Sequence, residues 1–203
     1  MGIKIDLHVH TSKYSECAEF LDIEKVEGHA ASMRIDALVV TDHDYFWKPK
    51  EFDSLCMKFQ RLKLFRGIEV SSDCDCHFVV IGIPKQGPLV KGVSIETIIG
   101  YTQSHNGAVI LAHPYQLVLP DSSVLKKVSA IEIASTSFNA HETQMSVVLA
   151  EKFQKPMVAC SDAHALGIVG SAYTEFPTMP ANEKQLAQMI RSGQGVPVYS
   201  SDR

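Results

Sequence analysis

Asp6-Leu7-His8-Val9-His10 puts two imidazoles two residues apart at the end of the first apolar run. A strand alternates its faces, so His8 and His10 project to one side and can reach one metal ion. The same spacing returns far along the chain in Ser161-Asp162-Ala163-His164, with Asp162 and His164 on one side. Between them, metal-capable side chains recur at the ends of apolar runs: Thr41-Asp42-His43-Asp44, Glu69 in Gly67-Ile68-Glu69-Val70, and His113 in Ala112-His113-Pro114. His77, beside Cys76, stands at the start of its run instead. Any one of these reads equally well as a polar strand end in water. Their joint recurrence points to one assembled site.

The ligand types narrow the metal. Imidazoles with carboxylates suit zinc, manganese or iron rather than calcium or magnesium. His8, His10, His43, Glu69, His77, His113, Asp162 and His164 are too many for one ion. A bridging carboxylate would hold a second ion close by, and a third is arithmetically allowed. Clustered ions polarise a phosphoryl oxygen and turn bound water into hydroxide near neutral pH.

The elements that must position these residues are short apolar runs alternating with helical stretches. The runs are 3–9, 36–42, 62–70, 77–83, 107–113, 130–135 and 156–162. Several are β-branched on both faces, as buried parallel strands are. Asp22 caps an expected helix through Met33, with Ile23, Val26, Ala30 and Met33 along one side. Ser94 precedes a second helix that Asn106-Gly107 ends. Phe138 to Gln154 reads as a third, and Glu183 to Ser192, before Gly193, as a fourth. Alternation of strand and helix implies right-handed βαβ units and a parallel sheet, and seven runs suggest a barrel. In such a barrel catalytic residues gather at the C-terminal ends of the strands. His77 breaks that rule: either its run begins earlier or its strand enters from the other direction. The stretch 169–180 reads as one more strand followed by a Pro-rich loop.

At 203 residues with 45% hydrophobic and 21% charged content, the chain reads as one domain, 1–203. A net charge of -4 argues against a broad electrostatic grip on long duplex nucleic acid, though not against a short oligonucleotide in a cleft. No apolar stretch reaches transmembrane length and the N-terminus lacks a signal-peptide pattern. Five cysteines without a framework spacing read as thiols of a cytoplasmic protein.

Taken in order, DLHVHTSKYSE, VVTDHD, GIEV, the isolated His77, LAHP and SDAH resemble the PHP (polymerase and histidinol phosphatase) family over nearly the whole chain. The resemblance implies a distorted (β/α)7, TIM-like barrel with two or three divalent ions (Zn, Mn or Fe) at its C-terminal mouth. It places His8, His10, Glu69 and Asp162 on one ion. Glu69 bridges to a second ion held by His77 and His113. His43, His164 and a first-loop residue hold the third, and Glu16 is the best match for that loop position. Asp42 is assigned to orienting His43, with direct ligation as the alternative. The implied reaction is hydrolysis of a phosphoester: a small phosphomonoester, a nucleotide or a short oligonucleotide end, attacked by a metal-bridging hydroxide. Glu69, Asp162 and His164 are then the catalytic residues. The leaving-group proton comes from a metal-bound water, His164 or Asp162, among which the sequence does not choose.

Substrate contacts are harder to place. Lys13 and Lys48 are candidates for a phosphate, against solvated surface lysines. Trp47, with Tyr45 and Phe46, is either a stacking platform or simple packing. Tyr115 follows Ala112-His113-Pro114 and can face the mouth. Asn139 matches a family position after the sixth strand and is a pocket candidate. Cys74 and Cys76 read as loop thiols near the site, Cys160 as core, and His29, His105 and His141 as surface residues of helices. Other classes remain open: an amidohydrolase-like multinuclear enzyme, a metal-binding regulatory PHP module, or an exonuclease on short oligonucleotides. The first often bridges its ions with a carboxylated lysine, where this chain offers Glu69. No membrane partner is expected.

Overall fold

The computed structural model describes residues 2–116 and 118–199. The seven apolar runs form β1 (Ile3–Val9), β2 (Ala37–Val40), β3 (Lys63–Ser71), β4 (His77–Ile81), β5 (Ala108–Leu111), β6 (Ala130–Ala134) and β7 (Met157–Ala159). Two more follow, β8 (Tyr173–Phe176) and β9 (Val196–Val198). β8 lies in the stretch read as an extra strand. β9 is Val-Pro-Val, too short and too interrupted by proline to carry a pattern.

The sheet order is β7-β6-β5-β4-β3-β2-β1-β8-β9, the curled wall of a distorted barrel. It is not parallel throughout. β4 pairs antiparallel with both β3 and β5, with Ser71 opposite His77 and Glu69 opposite Val79. Residues 72–76 are too few for a crossover helix, so the chain simply turns back. This resolves the His77 anomaly: the start of β4 lies at the same end of the barrel as the C-terminal end of β3. β8 runs antiparallel to β1, and β9 to β8.

The ring closes in two ways. At the mouth the chain beyond β7 runs beside the end of β1: Ala163 O accepts from His10 N at 3.0 Å and Ala163 N donates to His8 O at 3.3 Å. Lower down a side chain substitutes for a ladder. Thr174 Oγ1 accepts from Ala159 N at 3.0 Å and donates to Ala159 O at 2.8 Å.

Inside the barrel, Ile5, Leu7, Val39, Phe65, Ile81 and Ile110 pack on the apolar face of α6 (Glu183–Arg191), which plugs the bottom with Leu186, Ala187, Met189 and Ile190. Two glycines make room. A Cβ on Gly67 would lie 2.8 Å from Val39 Cγ1, and one on Gly82, at φ +87°, 2.7 Å from Ala187 Cβ. The pairing of β1 with β2 is irregular between Asp6 and Val9. That irregularity changes the phase of the strand. Leu7 packs in the interior, yet His8 and His10 above it also reach the interior, while Val9 packs outside. Bulges near functional sites re-aim side chains in this way.

The helices cover the outside. Asp22 accepts from Glu24 N at the head of a 3-10 turn, Ile23–Lys25, that runs into α1 (Val26–Ser32). The expected single helix is thus two pieces, and Met33 is exposed. α3 (Ile95–Ser104) starts at Ser94, which accepts from Thr97 N, and ends at Asn106 in a left-handed conformation. α5 (Ala140–Lys152) starts at a capping box of Asn139 and Glu142. α2 (Pro49–Cys56) and the one-turn α4 (Ser122–Leu125) were not expected from the sequence. For α2 the signal was present, since proline suits the first helical position. Among the described residues no helix is long and apolar enough to cross a membrane.

Candidate metal centre

Glu69, fully buried near the end of β3, is surrounded by five imidazoles. Its Oε2 lies 2.8 Å from His43 Nδ1 and 3.4 Å from both His8 Nε2 and His10 Nε2. Its Oε1 lies 2.9 Å from His113 Nε2 and 3.1 Å from His77 Nδ1. One carboxylate thus addresses two separate sets of nitrogens, one through each oxygen. Strand ends bring them there: His8 near the end of β1, His10 just past it, His43 just past β2, His77 opening β4, His113 just past β5.

Asp162 joins from beyond β7. Its Oδ1 is 3.4 Å from His8 Nε2 and 3.2 Å from His10 Nε2. His164 and His43 each stack on His10 with ring centroids 4.3 Å apart, and their own centroids are 6.0 Å apart. Ligating atoms of His8, His10 and Asp162 fall within 4.8 Å of one another, as do those of His43, Glu69 and His77, and those of His10, His43 and His164. Asp44, His113, Tyr115 and Asp162 all carry positive φ near this mouth. Non-glycine residues rarely adopt it, and such backbone strain collects at functional sites.

The electrostatics follow from opposite charges in a dry place. Burial raises a carboxyl pKa, yet the surrounding imidazoles outweigh it and hold Glu69 well below its usual range. Asp162 is lowered too, with burial opposed by His8 and His10. Burial would depress His8, but Asp162 and Glu69 raise it well above an ordinary imidazole. His43 and His113 are raised, Glu69 outweighing their burial. His10 goes the other way, to about 4: burial leads, and the neighbouring His8 and His43 add to it.

A second ring of groups holds the first. Asp42 is buried and fully engaged. It accepts from Thr11 N at 2.7 Å, Thr11 Oγ1 at 2.9 Å, Ser15 Oγ at 2.7 Å and Trp47 Nε1 at 2.7 Å. Its oxygens are spent on these donors, which favours a supporting role over ligation. Ser15 Oγ relays the contact, lying 3.3 Å from His10 Nδ1 and accepting from His43 N at 3.1 Å. Asp6 accepts from Ser161 N and Gly170 N, both at 2.9 Å, and burial pushes its carboxyl up to about 6. Beneath the cluster lies Glu132, on β6, with Cys160 donating to its Oε1 at 2.9 Å. Burial and the Glu132 charge keep that thiol well above its usual pKa, so it is a neutral donor. The sequence reading passed over Glu132, Thr11, Ser15 and Asp6. A carboxylate in the middle of Ala130-Ile131-Glu132-Ile133-Ala134, otherwise wholly apolar, was the available signal.

Several candidates lie elsewhere. Glu16 sits exposed on a 3-10 turn, Glu16–Ala18, and joins none of the metal-capable groupings; it is His10 that groups with His43 and His164. Lys13 is 2.5 Å from Glu51 and hangs over the Trp47 ring. Lys48 is exposed at the head of α2. Trp47 is core, as its bond to Asp42 and contact with Phe52 require, and Phe46 is buried. Tyr45 stacks on Tyr14. Tyr115 packs against the outer apolar cluster. Asn139 spends its side-chain oxygen on His141 N and Glu142 N, and borders a cavity of about 270 Å³ between the start of α5 and Tyr199. Of the helix histidines, His29 is bonded to Val169 O. Cys76 is buried and Cys74 exposed, with sulfurs 3.5 Å apart.

The donor set fits divalent metal ions. Glu69 Oε2 and Asp162 Oδ1 are buried oxygens without a hydrogen-bond donor, each faced by imidazole nitrogens. Buried lone pairs left this way are costly unless a cation satisfies them.

Known proteins place this geometry in context. A family model described as PHP-associated matches residues 140–194. No curated protein matches the chain by sequence. Among solved structures, PsfC from Pseudomonas syringae PB-5123 superposes with a TM-score of 0.75 at 20% identity, covering 98% of this chain and 93% of that one. An amidohydrolase from Chromobacterium violaceum, with bound sulfate, gives 0.65 at 16% identity over 95% of this chain and 97% of that one. A protein from Bifidobacterium adolescentis, assigned as a metal-dependent phosphoesterase, gives 0.63 at 12% identity over 92% and 96%. The superpositions establish a shared fold, and the one family model that matches, over residues 140–194, is PHP-associated.

Proposed function

We propose that the protein is a metal-dependent phosphoesterase acting on a small phosphomonoester, a nucleotide or a short oligonucleotide end. The observation that carries this reading is Glu69, whose two oxygens face two sets of imidazoles as a bridge between ions would. His8, His10, Asp162 and Glu69 would hold one ion, and Glu69, His77 and His113 a second. His43 and His164, beside His10, are the residues for a third. When bound, zinc, manganese or iron supplies Lewis acidity and lowers the pKa of water near neutrality. The chain supplies the rest. Asp42 and Ser15 fix His10 and His43, and the closed β1–Ala163 seam fixes Asp162. His164, partly exposed, and Asp162 remain the side chains placed to pass a proton to a leaving group.

The mouth argues for a small substrate. Lys13 is tied to Glu51 and Lys48 is exposed at the head of α2, so a phosphate would be neutralised by ions rather than by lysines. A long polyanion would need a basic track that a chain of net charge -4 does not offer. The sulfate in the Chromobacterium violaceum neighbour, a tetrahedral dianion, supports oxyanion binding in this fold. That neighbour's amidohydrolase name supports a second reading, hydrolysis of an amide; against it stands the carboxylate, not lysine, at the bridging place. The test is a screen of monoesters, diesters, nucleotides, short oligonucleotides and cyclic amides after loading with Mn, Zn or Fe, with metal counted on the same sample. Turnover of a phosphoester with two or three ions per chain is expected. Full loading with hydrolysis of amides alone would overturn the reading.

A further inference from the structure

Glu132 has no role in the ligand sets above, yet it is fully buried and touches the supports of both of them. Its Oε2 accepts from the backbone N–H of His113 at 2.6 Å. Its Oε1 accepts from Cys160 Sγ at 2.9 Å and lies 3.6 Å from His8 Nδ1. His8 Nδ1 is itself buried and without a hydrogen-bond partner, and its ring presents Nε2 to Glu69 and Asp162.

An imidazole carrying one proton can offer a lone pair from one nitrogen only. With the proton on Nδ1, facing Glu132, Nε2 is free to bind a metal. With the proton on Nε2, ligation by His8 is blocked. With an ion on the Nε2 side, answering Glu69 and Asp162 at 3.4 Å, the acceptor-only Glu132 carboxylate 3.6 Å from Nδ1 suits the first form. His113 meanwhile holds φ at 25°, a strained backbone that the short bond to Glu132 pins in place.

From this geometry we infer that Glu132 is a positioning residue for two ions at once: it sets the His8 tautomer on β1 and locks His113 beyond β5. The inference rests on the reading of His8 and His113 as metal ligands, but its test does not require turnover.

Glu132→Gln separates the two roles. The fixed His113 N–H demands an oxygen, so the amide group must point its NH2 at His8 and Cys160. That NH2 donates to His8 Nδ1 and drives the proton to Nε2. Long-range proton–nitrogen NMR of the zinc-loaded protein reads the tautomer directly. Nδ1–H is expected for His8 in the parent protein and Nε2–H in the variant. Metal titration should show the first ion weakened by about 10- to 100-fold in the variant, with the ion at His77 and His113 much less affected. The proposal is overturned if the parent His8 carries its proton on Nε2, or if the variant keeps both the parent tautomer and the parent affinity. A parent protein that binds no metal would sink the functional reading and this inference with it, whereas a metal-loaded parent with His8 protonated on Nε2 would sink the inference alone.

Discussion

The Nε2 atoms of His8 and His10 lie 3.1 Å apart, with Asp162 Oδ1 3.4 Å from the first and 3.2 Å from the second. At most one proton fits between two such nitrogens. Asp162 and Glu69 are both held in the ionised form. The result is a knot of lone pairs around a small space, which a divalent cation satisfies better than protons do.

Removing the charge at the centre should undo it. In Glu69→Gln, five imidazoles lose their shared carboxylate, and both proposed ion sets lose a ligand. We expect metal content to fall for both sets and turnover to drop by at least about a hundredfold, the upper range seen when mere partners of ligands are lost. Elemental analysis beside a phosphoester assay checks it. Full metal content at full rate would refute the bridging role.

Metal binding should release protons. His8, His43 and His113 have raised pKa values, so part of each stays protonated above 6.5, and a metal must displace those protons. Affinity therefore climbs as pH rises above 6.5. Stability of chelated protein moves the opposite way. These raised groups contribute below the unfolded value of 6.5, and the contribution is lost as pH rises through the folded values. Glu69, with its lowered pKa, contributes above about 4.5 and loses that as pH falls. Melting temperature with chelator should decline from pH 6.5 upward, and added metal should restore it. A flat profile would contradict the charge assignment.

Much of this was legible in the sequence and some was not. The seven strands and the histidine positions followed from apolar runs and their polar ends. His77 even betrayed that one strand was reversed, although only the five-residue turn 72–76 says which alternative holds. The irregularity between Asp6 and Val9 left no trace, because His8 and His10 sit two apart whether or not the strand shifts phase. Glu132 was overlooked because a strand pattern ranks it as filler, whereas burial makes an anion there meaningful. Asn139 and Trp47 drew attention as substrate contacts, yet the Asn139 side-chain oxygen is engaged by a helix end and the Trp47 N–H by Asp42.

Trp47 gives a direct check on that last point. Trp47→Phe removes the N–H that Asp42 Oδ2 accepts and should cost about 1–3 kcal/mol in urea unfolding. KM for nucleotides and for non-nucleotide phosphoesters should shift by the same factor. A selective loss of nucleotide binding would restore the stacking role.

The seam is a separate matter of stability. Thr174→Val keeps the shape but leaves Ala159 N–H and C=O without partners in a buried position. We expect a loss of about 2–4 kcal/mol from two unsatisfied groups, read as a lower denaturant midpoint. An unchanged midpoint would mean that the seam is closed by packing alone.

Glu16→Ala tests the first loop. An exposed residue on its own turn should leave ion stoichiometry and affinity as they are. Loss of one ion would return Glu16 to the ligand set.

The pairing of β1 with residues near Ala163 also orders events during synthesis. β1 leaves the ribosome before the partners of its outer edge, about 150 residues behind it. Until 157–163 and β8 emerge, His8 and His10 face an open edge with neither Asp162 nor a finished wall. In the proposed centre, the first two imidazoles therefore lack Asp162 until 157–163 have docked beside β1.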